Sequence, residues 1–214
     1  MVALTYWVCF LFFLRELLML SPRLSVVFRR LVRLGSFPAC WRQANVTRIP
    51  KGPPASSVAY YRPISITSIL SKVFERLVSV RFGRFMERSG VLPNTKFAYR
   101  KGLGTCDALL CVSQTLQSAL KSGQEARIVQ IDFRAACDRV NHLGILYMLC
   151  SAGIGGSVLS ILTQFLSNRS QQVMVDGCRS KLVNVVSGVP QGSVWVRYCS
   201  SCTRQTFFPF WKIS

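Results

Sequence analysis

Residues 127–142 (RIVQIDFRAACDRVNH) constrain the fold more than any other stretch of this sequence. The stretch opens with an apolar run, residues 128–131, which predicts a short buried strand. Asp132 follows at once, so the strand would hold its carboxylate at the edge of a cleft. Asp138 comes six residues later and is placed to be the N-cap of a helix that begins near Arg139. This order favours a fold in which strands and helices alternate.

The same two acids also have a purely structural interpretation. Asp138 would then only cap the helix, and Asp132 would pair with an arginine in a loop. The chain contains eight Asp and Glu residues against 27 Lys and Arg residues, so two acids this close together are unusual for it. The residues alone leave both interpretations open.

The net charge of +19 indicates the kind of partner that the chain faces. Its basic residues are spread along the chain and not confined to one tail, which is typical of proteins that bind a polyanion, most often nucleic acid. An acidic membrane surface is the alternative. Half of the residues are apolar, which is enough for a packed core within one domain.

The cysteines and the N-terminal residues indicate where in the cell the protein is expected. Nine irregularly spaced cysteines predict reduced, mostly buried thiols in an intracellular protein of the nucleus or cytoplasm. Cys199 and Cys202 form a lone CxxC, and with His142 as the only histidine a zinc site is not expected there. The apolar residues 2–20 are short for a membrane span, so a signal anchor and a hydrophobic N-terminal helix both stay open.

Periodicity predicts the remaining elements. Apolar residues at helical spacing predict helices over 22–34, 68–89, 105–121, 139–152 and 156–166. A short strand ending at Pro50 and a β-hairpin over 171–186 that turns at Asp176 and Gly177 complete the pattern. The alternation predicts an α/β (α+β) fold.

Six segments taken together resemble the fingers and palm of reverse transcriptases from non-LTR (LINE-type) retrotransposons. They occur in that family's order and spacing between about Arg23 and Val194. They are WRQANVTRIPKG, YRPISITSILSKVFERLV, FAYRKGLGTCDAL, IDFRAACDRVNH, SNRSQQVMVDG and SGVPQGSV. The resemblance implies a partial right-hand polymerase fold with helical fingers and an incomplete palm sheet.

The resemblance also implies a reaction and a cofactor. The reaction is nucleotide transfer to a DNA primer or target on an RNA template, in which two Mg²⁺ ions clamp the attacking and leaving oxygens. Mg²⁺ prefers hard oxygen ligands. By resemblance, Asp132 is the first metal-binding aspartate and catalytic residue, and the Phe133 carbonyl is an auxiliary ligand.

Five further residues match positions that bind the incoming deoxynucleoside triphosphate. Lys51 and Arg62 match basic finger residues that hold the triphosphate, and Gln191 with Gly192 matches residues beside the sugar and base. Cys137 stands where the family has an aromatic residue that excludes a 2′-hydroxyl, so sugar discrimination should weaken. The ordinary alternatives are a solvated basic face for the first pair and a simple turn for Pro-Gln-Gly.

The larger departure lies near the C-terminus. The family continues after GVPQGS with a hairpin carrying two aspartates, but residues 195–214 do not resemble it and contain no Asp or Glu. We therefore expect a truncated or frame-broken polymerase, inactive as written, in three parts: a hydrophobic segment 1–22, a partial reverse transcriptase domain 23–194 and an unrelated, least-ordered tail 195–214. A non-catalytic nucleic-acid-binding remnant and a membrane-anchored basic protein are the alternatives.

The missing downstream strands have a consequence for folding. Without the downstream strands, the strand at 128–131 lacks neighbours, and its apolar side chains would be only partly covered.

Overall fold

The computed structural model describes residues 21–52, 57–89, 95–98, 100, 102–131, 136–196 and 198–199. Helix α1 covers residues 21–34. The other helices are α2 Ile69–Arg88, α3 Thr105–Lys121, α4 His142–Ser151 and α5 Gly156–Leu166. The strands are β1 Gln43–Pro50, β2 Tyr61–Ile66, β3 Arg169–Val175, β4 Cys178–Arg179 and β5 Val183–Val185. The predicted α/β fold is confirmed.

The five strands form one mixed sheet in the order β2-β1-β3-β4, with β5 also paired to β3. Strand β1 runs antiparallel to β2 and parallel to β3. The β3–β4 hairpin turns at Asp176 and Gly177, whose φ angles are 49° and 81°. A two-residue turn with both φ values positive matches the right-handed twist of the strands, and Asp-Gly is a favoured pair for it. The predicted hairpin is confirmed.

Aromatic side chains fill the core between the helices and the sheet. The Phe37 ring centroid lies 5.5 Å from that of Phe165, and the Phe165 ring lies 4.8 Å from Trp195, both edge to face. Phe74 of α2 packs 5.6 Å from Trp41. Such pairs bury large apolar areas and prefer edge-to-face or tilted arrangements.

The segment that begins at Trp195 is part of this core. Trp195 is fully buried, Cys199 is buried, and the Tyr198 ring lies 4.8 Å from Phe82 of α2. The boundary predicted at residue 194 therefore falls inside a packed segment. Apolar side chains next to α2 gain more by burial than by exposure. Residues 1–20 and 200–214 lie outside the described residues.

The predicted strand at residues 128–131 is not formed. Ile128, Val129 and Ile131 are 66%, 70% and 49% exposed, and residues 124–131 have no regular secondary structure. No strand among the described residues pairs with this segment, and a strand needs such a neighbour for its backbone N–H and C=O groups. The assignment as a buried strand is wrong, whereas the prediction that these side chains would be only partly covered is confirmed.

Helix α4 starts three residues later than predicted, at His142. Its N-cap is Asn141, whose side-chain oxygen accepts hydrogen bonds from the Leu143 N–H at 3.0 Å and the Gly144 N–H at 3.3 Å. Asp138 is therefore not the N-cap, because Asn141 lies directly before the first helical residue and reaches its unpaired N–H groups.

The seven described cysteines are free thiols, but most of them are not buried as predicted. Cys40, Cys106, Cys111, Cys150 and Cys178 are exposed, and of the described cysteines Cys199 alone is buried. Two of the exposed thiols lie on α3, a helix with no buried residue. Over the described ranges, no helix is long and apolar enough to cross a membrane.

Candidate nucleotide-binding site

A cavity of about 390 Å³ lies between the sheet and the loop of residues 187–192. Strands β1 and β2 form one wall through Val46, Pro63 and Ser65. The loop forms the opposite wall together with Asp138. Three segments that are distant in sequence therefore meet at this cavity.

Backbone hydrogen bonds join the loop to the turn that precedes α4. The Gly188 N–H donates to the Val140 carbonyl at 3.0 Å, and the Val189 N–H donates to the Cys137 carbonyl at 2.8 Å. Gly188 has a φ of 83°, and a Cβ atom there would lie 2.8 Å from the backbone of Cys137 and Asp138. Only glycine accommodates both the conformation and this close approach.

The other end of the loop is joined to strand β2. The Ser65 N–H donates to the Gln191 carbonyl at 2.7 Å. Gly192 has a φ of 121°, and a Cβ atom there would lie 2.8 Å from the Ser65 carbonyl oxygen. The Gln191 side-chain amide donates to the Asp138 carboxylate at 3.4 Å. The structure thus brings Gln191, Gly192 and Asp138 together.

Cys137 precedes Asp138 and is half-buried; its side chain packs against the hydrophobic core, and it is not among the residues that line the cavity. Burial raises the pKa of its thiol, and the nearby negative charge of Asp138 raises it further. The thiol is therefore neutral at pH 7, and the side chain acts as a small uncharged group.

Lys51 and Arg62 lie together on the β1–β2 hairpin, and both are exposed. The Lys51 N–H donates to the Tyr60 carbonyl at 2.9 Å, and Arg62 stands opposite Ile49. This register puts Lys51 and Arg62 on one face of the hairpin, because cross-strand partners share a face and side chains alternate along each strand. Pro63 lines the cavity from the other face, so the basic pair does not line it.

The predicted metal ligands Asp132 and Phe133 lie outside the described residues. Among the side chains that the structure describes, no group of three His, Cys, Asp or Glu residues could hold a metal ion. Asp138 is the carboxylate that borders the cavity. Among the described residues that line the cavity, Asp138 is thus the one carboxylate.

Glu75 of α2 is a site-supporting residue that sequence reasoning missed. It is fully buried, and its carboxylate accepts hydrogen bonds from the Ser71 hydroxyl at 2.8 Å and the Val194 N–H at 2.7 Å. The Trp195 indole donates to the Glu75 carbonyl oxygen at 3.0 Å. Glu75 therefore anchors Val194 and Trp195, which follow the loop of residues 187–192. The signal was a polar stripe, because Ser71, Glu75 and Ser79 recur every four residues on one helix face.

A second buried charge lies close to Glu75. Arg169 of β3 donates to the Phe165 carbonyl at 2.8 Å, and its guanidinium lies 4.9 Å from the centre of the Phe165 ring. Burial lowers the pKa of Arg169 to about 10, against the opposing effect of the Glu75 charge. Burial raises the pKa of Glu75, and its hydrogen bonds and Arg169 act against that rise.

Comparison with known proteins agrees with the fold. Residues 49–208, which are 160 of the 214 residues, match the family described as reverse transcriptase (RNA-dependent DNA polymerase). The chain therefore belongs to the reverse transcriptase family. The match runs past residue 194, in line with the packed Trp195 segment.

Within that family the chain is similar to polymerases of non-LTR retrotransposons, which confirms the predicted resemblance. It is 36% identical over 172 residues to a probable RNA-directed DNA polymerase from transposon X-element of Drosophila melanogaster. It is 33% identical over 172 residues to the RNA-directed DNA polymerase from mobile element jockey of Drosophila funebris. Each alignment covers 80% of this chain and 19% of the relative.

A more distant relative extends the comparison. The retrovirus-related Pol polyprotein from type-1 retrotransposable element R2 of Popillia japonica is 28% identical over 163 residues, covering 74% of this chain and 22% of the relative. The chain thus spans about a fifth of the length of these relatives.

Proposed function

We propose that this chain forms the fingers and part of the palm of a retrotransposon RNA-directed DNA polymerase, and that the cavity beside Gln191 faces the incoming nucleotide. The observation that carries the proposal is the meeting of three segments at one point. The Gln191 carbonyl accepts a hydrogen bond from the Ser65 N–H, and the Gln191 side-chain amide donates one to the Asp138 carboxylate. In this role the partners of the chain are an RNA template, a DNA primer or target and deoxynucleoside triphosphates.

The basic pair and the cavity residues have separate roles in this proposal. Lys51 and Arg62 lie on the other face of the hairpin from the cavity, and their assignment to the triphosphate rests on the family resemblance and on the ability of an arginine guanidinium to bind phosphate oxygens in a bidentate way. Gln191 and Gly192 border the sugar and base. Cys137 offers less bulk than an aromatic ring, so a 2′-hydroxyl meets less steric resistance.

The family is generally metal-dependent, and Mg²⁺ is the cofactor that it implies. Asp132 and the Phe133 carbonyl would supply oxygen ligands for it. When bound, Mg²⁺ neutralises the charge that develops on the transferred phosphoryl group. Because no acid follows Asp176 in the sequence, we propose that these 214 residues by themselves do not carry out template-directed synthesis.

Nucleic-acid binding without synthesis is a second candidate function. The net charge of +19 favours it, because neutralising phosphates with Lys and Arg releases counterions. The β1–β2 hairpin would then contribute to nucleic-acid binding through its charge alone, and Gln191 would have no role.

Nucleotide binding and primer extension test the proposal together. We expect no extension of oligo-dT on poly-A with Mg²⁺ or Mn²⁺, but measurable binding of a deoxynucleoside triphosphate. Gln191→Ala should weaken that binding, whereas Gln117→Ala on exposed α3 should not. Equal affinities of the two variants would contradict the assignment of the cavity. Extension that Asp132→Ala abolishes would contradict the proposed inactivity.

A further inference from the structure

His142 is the only histidine of the chain, and its ring contacts the loop of residues 187–192. The ring Nε2 lies 2.7 Å from the Gly188 carbonyl oxygen, and this contact is partly buried. A carbonyl oxygen can only accept a hydrogen bond, so Nε2 must carry the proton and donate it. His142 is thus a side-chain donor to the loop that borders the nucleotide cavity.

The ring is carried by a helix whose position is fixed. His142 is the first residue of α4 and follows Asn141, whose side chain caps the first turn. Further along the helix, Ile145 and Leu149 are 1% and 2% exposed. The cap holds the first turn, and burial of the apolar side chains holds the helix against the core. The loop therefore receives its hydrogen bond from a rigid donor.

The Gly188 carbonyl depends on this donor. Gly188 is buried, and among the described residues the His142 ring is the group that donates to its carbonyl oxygen. The Gly188 N–H is already used by the Val140 carbonyl at 3.0 Å. A buried carbonyl without a partner is unfavourable. Removing the ring would therefore favour a position of the loop in which this oxygen reaches water.

A displacement of Gly188 would be felt at Gln191. The Gln191 side-chain amide donates to the Asp138 carboxylate at 3.4 Å, and the Ser187 hydroxyl donates to the Asp138 carbonyl at 3.2 Å. Asp138 lies four residues before His142, so both ends of this contact depend on the turn that precedes α4. The Gln191 bond is already near the longest distance at which a hydrogen bond forms, so it tolerates little displacement.

We propose that His142 is a positioning residue of the nucleotide site, which holds Gly188 and thereby keeps Gln191 beside Asp138 at the cavity. The proposal rests on the function proposed above and adds the side chain that fixes the loop at its α4 end. His142 does not line the cavity. It acts through Gly188 and makes no contact with the nucleotide.

Binding of a deoxynucleoside triphosphate to two variants tests this role. His142→Leu removes the donor and should weaken binding about tenfold, the order of magnitude by which an unpaired buried carbonyl shifts an equilibrium. His142→Gln should restore most of the affinity, because a glutamine amide can donate to the same carbonyl. Tyr147→Leu, at an exposed position of α4, is the matched control and should bind like the parent.

Urea unfolding separates positioning from a contribution to folding alone. The affinities are compared without urea, where circular dichroism shows each variant to be folded. His142→Leu that is less stable than the parent but binds the triphosphate equally well would overturn the proposal. Equal losses of affinity in His142→Gln and His142→Leu would also overturn it, because the two variants differ in the donor.

The imidazole nitrogens provide a second measurement, on the parent chain. The ¹⁵N spectrum of the ring contains one histidine, and the neutral ring should carry its proton on Nε2. If the bond to Gly188 favours nucleotide binding, the nucleotide must favour the bond to the same extent. Saturating triphosphate should therefore slow the exchange of the Nε2 proton with water. A proton on Nδ1, or exchange that the triphosphate leaves unchanged, would overturn the proposal.

The failure of this proposal differs from the failure of the proposed function. Equal affinities of His142→Leu and Tyr147→Leu, with binding by the parent that Gln191→Ala weakens, would overturn the role of His142 and leave the cavity assigned to the nucleotide. Absence of triphosphate binding by the parent chain would overturn the proposed function, and the role of His142 with it.

Discussion

Replacing Glu75 by alanine should destabilise the fold by about 3 to 4 kcal/mol. The change removes the acceptor of the Ser71 hydroxyl and of the Val194 N–H, and each buried group left without a partner costs about 1–3 kcal/mol. It also removes the negative charge that partly offsets the burial of the Arg169 guanidinium. Burial already disfavours the Glu75 carboxylate, so the net loss falls below the sum of these costs.

Glu75→Gln should cost less than half as much as Glu75→Ala. The Gln oxygen can still accept from the Val194 N–H, and the Ser71 hydroxyl can rotate to accept from the Gln amide. Urea unfolding measures both variants. The matched control is Glu87→Ala on the same helix, because Glu87 makes a surface ion pair with Arg100 at 2.7 Å, which is worth about 0.2–1 kcal/mol. Equal losses for Glu75→Ala and Glu87→Ala would refute the reasoning.

The contribution of Glu75 to the free energy of unfolding should decrease as pH rises over a limited range. The pKa of Glu75 is higher in the folded chain than its ordinary value of 4.5. Between those two pKa values the folded state binds more protons than the unfolded state, so this group's contribution to stability falls as pH rises through the window. Glu75→Gln should abolish that part of the pH dependence. An unchanged profile in the variant would show that Glu75 does not titrate in this way.

Three further predictions concern the site, the core and the charge. Cys137→Phe should raise the preference for a deoxynucleoside over a ribonucleoside triphosphate roughly tenfold in equilibrium binding, and Cys150→Phe on the exposed part of α4 should not. Trp195→Ala should destabilise the fold by about 3–5 kcal/mol in urea unfolding, because the ring is fully buried against Phe165; a loss below about 1 kcal/mol would exclude a core role. Oligo-U affinity should fall with salt by about 0.7 in log–log slope per phosphate contact, and a slope near zero would exclude electrostatic binding.

Some features follow from local sequence signals. Helix α3 begins at Thr105 and ends at Lys121, and α5 runs from Gly156 to Leu166, in both cases at the predicted residues. The hairpin turn at Asp176 and Gly177 was equally predictable. These signals act within a few residues: apolar spacing along a helix, a glycine at a helix end and the φ preferences of Asp-Gly. The family itself was predicted from six short segments in order.

Other features depended on neighbours that the sequence does not identify. Asp138 was predicted as a helix cap, but its carboxylate faces Gln191, which is 53 residues away. Residues 128–131 have the composition of a buried strand, but strand formation requires a partner, and no described strand provides one. A local pattern can specify a preference for a conformation but cannot supply the neighbour that completes it.

By itself, the sequence determined the helices, the hairpin, the basic character and the family of this protein. Only the tertiary structure decided which polar groups are buried and what lies beside the loop of residues 187–192. Glu75 sits among basic residues on a helix and has the composition of a solvated position, yet it bonds to Val194, 119 residues away. The physical reason is that burial and hydrogen bonding are set by the packing of distant segments, whereas helix and turn preferences are set by neighbouring residues along the chain.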